Sequence, residues 1–451
     1  MISVAMMLLL SAVAAAPAAR HDPIPAFARK YRTTCSTCHT AAPKLNVLGE
    51  AFRLNGYRFP ENDRLLRKEE AVPLGEDPWK DLWPRAIWPG EIPGTAPISL
   101  GVQSDIEWLD RAGVDPVLNL RFPNEVRLLA ASTLGDGLAA FVEVEWSQEE
   151  GVGVEQAKLK FQGLLPWLGE RAANLWVGLQ SLYLFTFAER QIDRAARQSF
   201  RWQRFAPADL PMTDALTGAI VAGSGAARLG QPRPTVELNG VAGGRLFYAG
   251  GVAQGASDAV TDENRHKDLF YKLRYKVGGL SLAGQYADRS EPVVGQGGQL
   301  RDRSFTLEHF GYFGEEPAGA GAGDRYRAFG VAGRLLLGPL DAGAGYVGGS
   351  HANAWGLGTN RLRWSSSFAK AEYVALPWVM ASVKLERFEV RYPADLAVRS
   401  LTAPPAGETH VLPGVILLIR QNVRGVVEGD LRADSRTDKP AALWLRLDVT
   451  F

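Results

Sequence analysis

The chain has 451 residues, 46% of them hydrophobic and 22% charged, with a formal net charge of +1. So even a balance supplies no field to hold nucleic acid, and two cysteines in this length are unlike a disulfide-stapled secreted scaffold. Beyond the first residues no apolar run approaches the ~20 that a membrane-spanning helix requires.

The chain opens "MISVAMMLLLSAVAAAPAAR", an apolar core followed by small residues. This reads as a secretory signal over residues 1–19, cut near Ala16 to Ala19, which departs from type in having no Lys or Arg before the apolar run.

Residues 20–60 carry the chemistry. In "TTCSTCHTAAPKLNVLGEAFRLNGYRF" the only cysteines, Cys35 and Cys38, stand three apart, and His39 follows directly. At this spacing two thioethers clamp the vinyl groups of one haem while the adjacent imidazole reaches the iron. Cys35 and Cys38 are therefore the candidate attachment points of a single haem c, and His39 its proximal iron ligand. Three alternatives compete: a redox dithiol, which has no need of the histidine, a structural disulfide, and a zinc site, for which no second ligand pair follows.

After the motif Leu45, Leu48 and Phe52 recur at helical spacing, and Gly56 stands where a helix would end. A short amphipathic helix can thus lay one face on the porphyrin. No methionine lies between the signal and Met212. The distal position falls to His21, the other imidazole nearby, to Met212 or Met380, or to a water. Covalent haem attachment takes place outside the cytoplasm, in agreement with the signal.

Between residues 61 and 97 prolines at 73, 78, 84, 89, 93 and 97 interrupt every long element, with Trp79, Trp83 and Trp88 among them. The segment reads as a stiff connector rather than strand or helix, its tryptophans marking a packed junction or a membrane interface.

From residue 98 to 451 the pattern has period two. Val142, Val144 and Trp146 oppose Glu143 and Glu145, and Ala157, Leu159 and Phe161 oppose Gln156, Lys158 and Lys160. Leu269, Tyr271, Leu273, Tyr275 and Val277 alternate with Phe270, Lys272, Arg274 and Lys276. A Gly278-Gly279 turn then returns the chain through Leu280, Leu282 and Tyr286 as a hairpin. Tight connections fit at Gly338-Pro339, near Pro377 and at Gln421-Asn422, with longer polar stretches at 349–365, 391–410 and 434–440.

Short turns alternating with long loops are the pattern of a transmembrane barrel with its turns toward the periplasm. The last strand has an apolar face of Leu443, Leu445, Leu447 and Val449 against Trp444, Arg446, Asp448 and Thr450. Its terminal Phe451 resembles the aromatic end of bacterial outer-membrane barrels. The expected fold is all-β: an outer-membrane β-barrel over 98–451 of about sixteen antiparallel strands, following a small α-helical c-type cytochrome segment. Many of the twelve tryptophans become girdle residues, and Glu143, Glu145, Lys158, Lys160, Lys272, Arg274 and Lys276 line a polar lumen. The count does not balance between Gly278 and Gly338. Either 289–302 hides a strand or the Gly-Gly turn faces outward, and fourteen or eighteen strands are the alternatives.

The run "FARKYRTTCSTCHTAAPKLNVLGEAFRLNGYRFP", followed by such a barrel, resembles the fused monohaem cytochrome-porin family of outer-membrane iron oxidases. The sharp part of the match lies in residues 26–60; the barrel matches in pattern. The resemblance implies oxidation of extracellular Fe(II), a haem c held by Cys35, Cys38 and His39, and transfer of the electron to a periplasmic c-type cytochrome or similar carrier. It places the haem segment in the barrel mouth or on its periplasmic side. Related cytochrome-porins with other donors share the front segment. A diffusion porin carrying a haem plug, or a periplasmic haem sensor, are the other classes, and the lipid-like stripe disfavours the sensor.

Overall fold

The computed structural model describes residues 25–61, 63–73, 81–82, 91–93 and 97–451, except 112–113, 135–136, 150, 170, 189–199, 226–227, 256–264, 286–297, 317–322, 359–360, 395–400, 404–406 and 433–440. The signal segment and His21 lie outside the described residues.

From Ile98–Arg111 to Ala441–Thr450 sixteen antiparallel strands form a closed wall. The last strand pairs with the first, Leu443 opposite Trp108, Leu445 opposite Ile106 and Leu447 opposite Ser104. Alternation sets the faces. Leu443, Leu445 and Leu447 are each about 42–43% exposed, while Trp444, Arg446 and Asp448 between them are buried. Likewise Leu269, Leu273, Tyr275 and Val277 face out and Phe270, Lys272, Arg274 and Lys276 face in. A closed wall whose outward positions carry so many exposed leucines, valines and aromatic rings is stable against lipid, so this is a transmembrane barrel of the outer-membrane kind.

One mouth carries both ends of the sheet and the tight turns at 243–245, 338–339, 377–378 and 421–422. The opposite mouth carries longer connections, including 181–232 and 392–406. The Gly278-Gly279 step is not a hairpin. The strand Asp268–Gly278 pairs directly with Arg303–Glu316, and the intervening chain leaves the wall. Leu280 packs with Tyr31, Phe52 and Phe59, and Leu282 with Leu54, Trp176 and Phe247. Tyr286 lies outside the described residues. With two wall strands between Gly278 and Gly338 among the described residues, the count of sixteen balances; residues 289–297 lie outside the described residues.

Two inserts fill the lumen where a polar channel was expected. Residues 25–61 enter the terminal mouth as two helices, Ala26–Tyr31 and Val47–Leu54, joined through a small hairpin of His39–Ala41 with Lys44–Leu45. From the other end, residues 181–188 and 200–225 bring Phe185, Phe187, Phe200, Trp202 and Phe205 against the inward rings of the wall. Phe185 meets Phe310 at 4.9 Å between centroids, Phe200 meets Phe368 at 4.6 Å, and Phe205 meets Phe388 at 5.0 Å. Met212–Asp214 then pairs with Ile220–Val221 and with Leu401–Thr402.

The inward charges of the wall answer these inserts or one another. Lys272 donates to the Leu182 carbonyl at 2.6 Å and to Glu237 at 2.8 Å, and Lys160 to the Arg53 carbonyl at 2.8 Å. The tryptophans divide: Trp108, Trp146, Trp167 and Trp378 are exposed as a girdle requires, but Trp176, Trp202, Trp355, Trp364 and Trp444 are buried inward. Nor is the connector free of regular structure, since it holds the helix Asp63–Leu66 and a pairing of Ala71–Pro73 with Glu91–Pro93. Trp79, Trp83 and Trp88 lie outside the described residues.

A buried network of charges seats the front segment. Lys44, fully buried, donates to Asp341 at 2.5 Å and to Glu372; Arg334 donates twice to Asp341, at 2.9 and 2.8 Å, and once to Glu50 at 2.5 Å. Insert and wall each contribute both signs of charge, so withdrawing the insert strands unpaired charge on both sides. Lys44→Met should cost up to about 3–5 kcal/mol, since Asp341 and Glu372 each lose one of two buried cations, keeping Arg334 and Lys370 respectively. Limited proteolysis of residues 26–60 in the folded barrel reads this as faster cleavage, and unchanged protection would show that the network does not seat the segment. On the outer face, Leu445→Lys places a charge in lipid at a cost of roughly 2–4 kcal/mol near the midplane. Heat-modifiable gel mobility of the membrane fraction should report lost assembly.

Candidate functional site

The Cys-x-x-Cys-His run is held by the helix that follows it. Asn46 caps Val47–Leu54 by accepting from the Gly49 N–H at 2.9 Å. Its amide donates back to the carbonyls of Ser36 and Thr37 at 3.0 and 3.1 Å, while its backbone N–H donates to the Cys38 carbonyl at 2.9 Å. A Cβ on Gly49 would stand 2.1 Å from that same carbonyl oxygen. Helix and motif loop thus touch through backbone, which only glycine allows. Within the loop the Cys38 N–H donates to the Cys35 carbonyl at 3.2 Å, a single tight turn over Cys35–Thr37.

Cys35, Cys38 and His39 all line one cavity of about 270 Å³ between the front segment and the barrel wall. Apolar rings and branched chains form most of its walls, with Phe27, Tyr31, Phe52 and Tyr57 from the segment and Leu129 and Phe141 from the barrel. The Cys35 N–H donates to the Gln421 side chain at 3.2 Å, which ties the motif to the tight turn at 421–422.

Both thiols are free. Burial pushes the Cys38 thiol up to about 12, with a smaller push from Cys35, and burial likewise raises Cys35. A redox dithiol draws on a depressed thiol that presents a thiolate, and burial here acts in the opposite direction. His39 is placed for ligation. Its Nδ1 lies 3.1 Å from the Pro43 carbonyl, which can only accept, so Nδ1 carries the proton and Nε2 keeps its lone pair. Burial lowers the His39 pKa, against smaller upward contributions from backbone hydrogen bonds, and favours the neutral ring a metal requires.

The sequence-derived distal ligands are not brought to this cavity. Met212 is buried in the aromatic fill toward the opposite mouth, Met380 packs with Ala41, Ile416 and Val426, and His21 is outside the described residues. Among the described residues no group of three or more His, Cys, Asp or Glu forms a metal cluster. The residues present fit a haem: two thiols and a neutral imidazole on one wall, aromatic surface for a flat macrocycle, and Arg53, Arg127 and Arg424 at the margins for its carboxylates. Sequence reading missed Asn46, Gly49 and the three arginines. Asn46 had a legible signal, standing as a cap residue just before an apolar periodic run.

No family model matches the chain, and no curated protein matches it. Solved structures do. An anion-selective porin from Comamonas acidovorans gives a TM-score of 0.53 at 10% identity, covering 79% of this chain and 99% of that one. OmpF of Salmonella typhi in complex with daunomycin gives 0.49 at 11% identity, over 78% and 97%. The in-vitro folded trimer form of OmpT from Vibrio cholerae gives 0.47 at 13%, over 78% and 99%. The likeness to the Comamonas porin is one of fold. This chain is a porin-like outer-membrane β-barrel.

Gly49→Ala should drive the helix off the motif loop. Covalent haem, read by the haem stain of a denaturing gel, should fall several-fold while the barrel remains heat-modifiable. Full attachment in that variant would mean that the helix does not hold the loop.

Proposed function

We propose that the chain is an outer-membrane cytochrome-porin that takes electrons from extracellular Fe(II) and passes them to a periplasmic carrier such as a c-type cytochrome. Each Fe(II) becomes Fe(III) as the acceptor gains one electron. The observation that carries the reading is the convergence of Cys35, Cys38 and His39 on one apolar-walled cavity in the mouth of a transmembrane barrel. When bound, a haem c supplies a one-electron redox centre.

This chain's own residues do the rest. Cys35 and Cys38 are free to form thioethers, and His39, with its Nδ1–H committed to the Pro43 carbonyl, keeps Nε2 for the iron. Phe27, Tyr31, Phe52 and Tyr57 exclude water around the macrocycle. Barrels of this kind turn their short connections toward the periplasm, which supports a cavity on the acceptor's side. The aromatic fill from 181–188 and 200–225 occupies the lumen toward the opposite mouth. Rings packed in this way narrow the described lumen, which weighs against free diffusion of a hydrated solute past them.

The runner-up is a diffusion channel carrying a haem plug, supported by the likeness of fold to an anion-selective porin. A conduit for a donor other than iron is the third form. Liposomes carrying the protein, with an electron acceptor sealed inside and Fe(II) outside, should show acceptor reduction only when haem is attached. The Cys35→Ala, Cys38→Ala barrel is the control, and leakage of an inert solute of similar size is measured in parallel. Equal reduction with and without haem would make the protein a porin; wild-type haem left oxidised by Fe(II) would point to another donor.

A further inference from the structure

We infer that Arg53 is a binding residue for an anionic substituent of the cofactor, a porphyrin carboxylate, at the inner end of the cavity. The inference rests on the haem reading above and adds to it the group that fixes the macrocycle's orientation.

The argument begins with charge. Three arginines line the cavity: Arg53 on the helix Val47–Leu54, and Arg127 and Arg424 on the wall. Two of them already face carboxylates. Arg127 Nε stands 2.8 Å from Glu125, and Arg424 Nε donates to Asp448 at 2.8 Å. Arg53 is 5% exposed and makes no ion pair among the described residues, and its buried Nε has no hydrogen-bond partner. The neighbouring Lys160 offers it no anion: fully buried, it donates to the Arg53 backbone carbonyl and lies over the rings of Tyr57 and Trp176, 3.9 and 4.0 Å from their centroids. A buried guanidinium without an anion is costly, and the site is completed by a ligand that brings one.

The side chain is also held ready. Its guanidinium lies 4.5 Å from the ring centroid of Tyr183 and 5.7 Å from that of Trp176. Cation–π contact with these rings holds the guanidinium in place without using its N–H groups, which stay available for hydrogen bonding. Tyr183 pays for this contact with a left-handed backbone, φ 51°, and its hydroxyl donates to Gln156 at 3.0 Å. A strained non-glycine residue whose ring supports a partnerless arginine, both lining one cavity, marks a built site. A carboxylate is the anion that a planar fork binds best at two points, and haem brings two of them.

The test uses the full-length Cys35→Ala, Cys38→Ala barrel, which retains His39 and so takes up ferric haem without covalent attachment. Binding is followed by absorbance for ferric haem and for its dimethyl ester, which lacks the carboxylate charges. With Arg53 present, ferric haem should bind about tenfold or more tighter than the diester; Arg53→Gln should weaken ferric haem roughly 10- to 100-fold and leave the diester unchanged. Arg53→Lys, which keeps the charge and loses the fork, should fall between. Equal affinity for acid and diester in the Arg53 protein overturns the assignment without any substitution at Arg53, so misfolding of a variant cannot hide the answer. Equal weakening of both ligands by Arg53→Gln overturns it too, as the mark of a merely structural residue. If neither ligand binds, the cofactor reading itself fails and takes this inference with it. Inorganic phosphate that binds at Arg53 without competing with ferric haem would likewise overturn the carboxylate assignment.

Discussion

Hydrocarbon offers no hydrogen-bond partner, so extended backbone that crosses it must pair with itself around a full circle. The pairing of Ala441–Thr450 with Ile98–Arg111 closes that circle, and the rest of the molecule follows from the closure. Period-two side chains then have only two places to go. Out of the wall they meet lipid, and leucines such as 443, 445 and 447 fill that face. Into the wall they meet whatever occupies a sixteen-strand lumen, which is too wide for wall side chains alone to fill. The chain supplies the fill from both ends, with the front segment through one mouth and residues 181–188 and 200–225 through the other. The two inserts meet where Arg53 of the first lies over Tyr183 of the second.

How far the sequence carried depends on where each constraint lives. Wall strands were legible because lipid acts on every second residue of a strand, and the effect is written locally: Leu269 to Val277 and Leu443 to Val449 can be read without knowing their neighbours. The same rule misled at Leu280 and Leu282. Their spacing is that of a strand, but their apolar partners are Phe52, Phe59 and Leu54 from over two hundred residues earlier, not lipid. Alternation says that a face is apolar and is silent on what covers it. The tryptophans failed for a like reason, since Trp202 and Trp364 serve the interior and Trp146 and Trp378 the outside.

The site divides along the same line. Cys35, Cys38 and His39 were legible as a candidate constellation because the Cys-x-x-Cys-His pattern is written within five residues of chain, and the fold brings all three to one cavity. Asn46 and Gly49, which hold that loop through its carbonyls, belong to the next turn of local structure, and only the cap residue leaves a sequence signal. Arg53, Arg127 and Arg424 were not legible at all. The inward arginines of this wall are paired with carboxylates on the neighbouring strand, as Arg446 is with Asp105 and Arg334 with Asp341. What distinguishes Arg53 is the absence of such a pair, and only a folded arrangement can reveal an absence.

The filled lumen bears on what a porin-like wall can do. A water-filled channel needs a continuous polar path, yet the described interior between the cavity and the opposite mouth is built on Phe185, Phe187, Phe200, Trp202 and Phe205 packed against Phe310, Phe368 and Phe388. Fixed rings at centroid distances of 4.6 to 5.0 Å leave no room for a hydrated solute between them. The burial that lowers the His39 pKa is local to the front cavity, set by Phe27, Tyr31, Phe52 and Tyr57 from the segment with Leu129 and Phe141 from the wall, and is separate from the aromatic fill toward the opposite mouth.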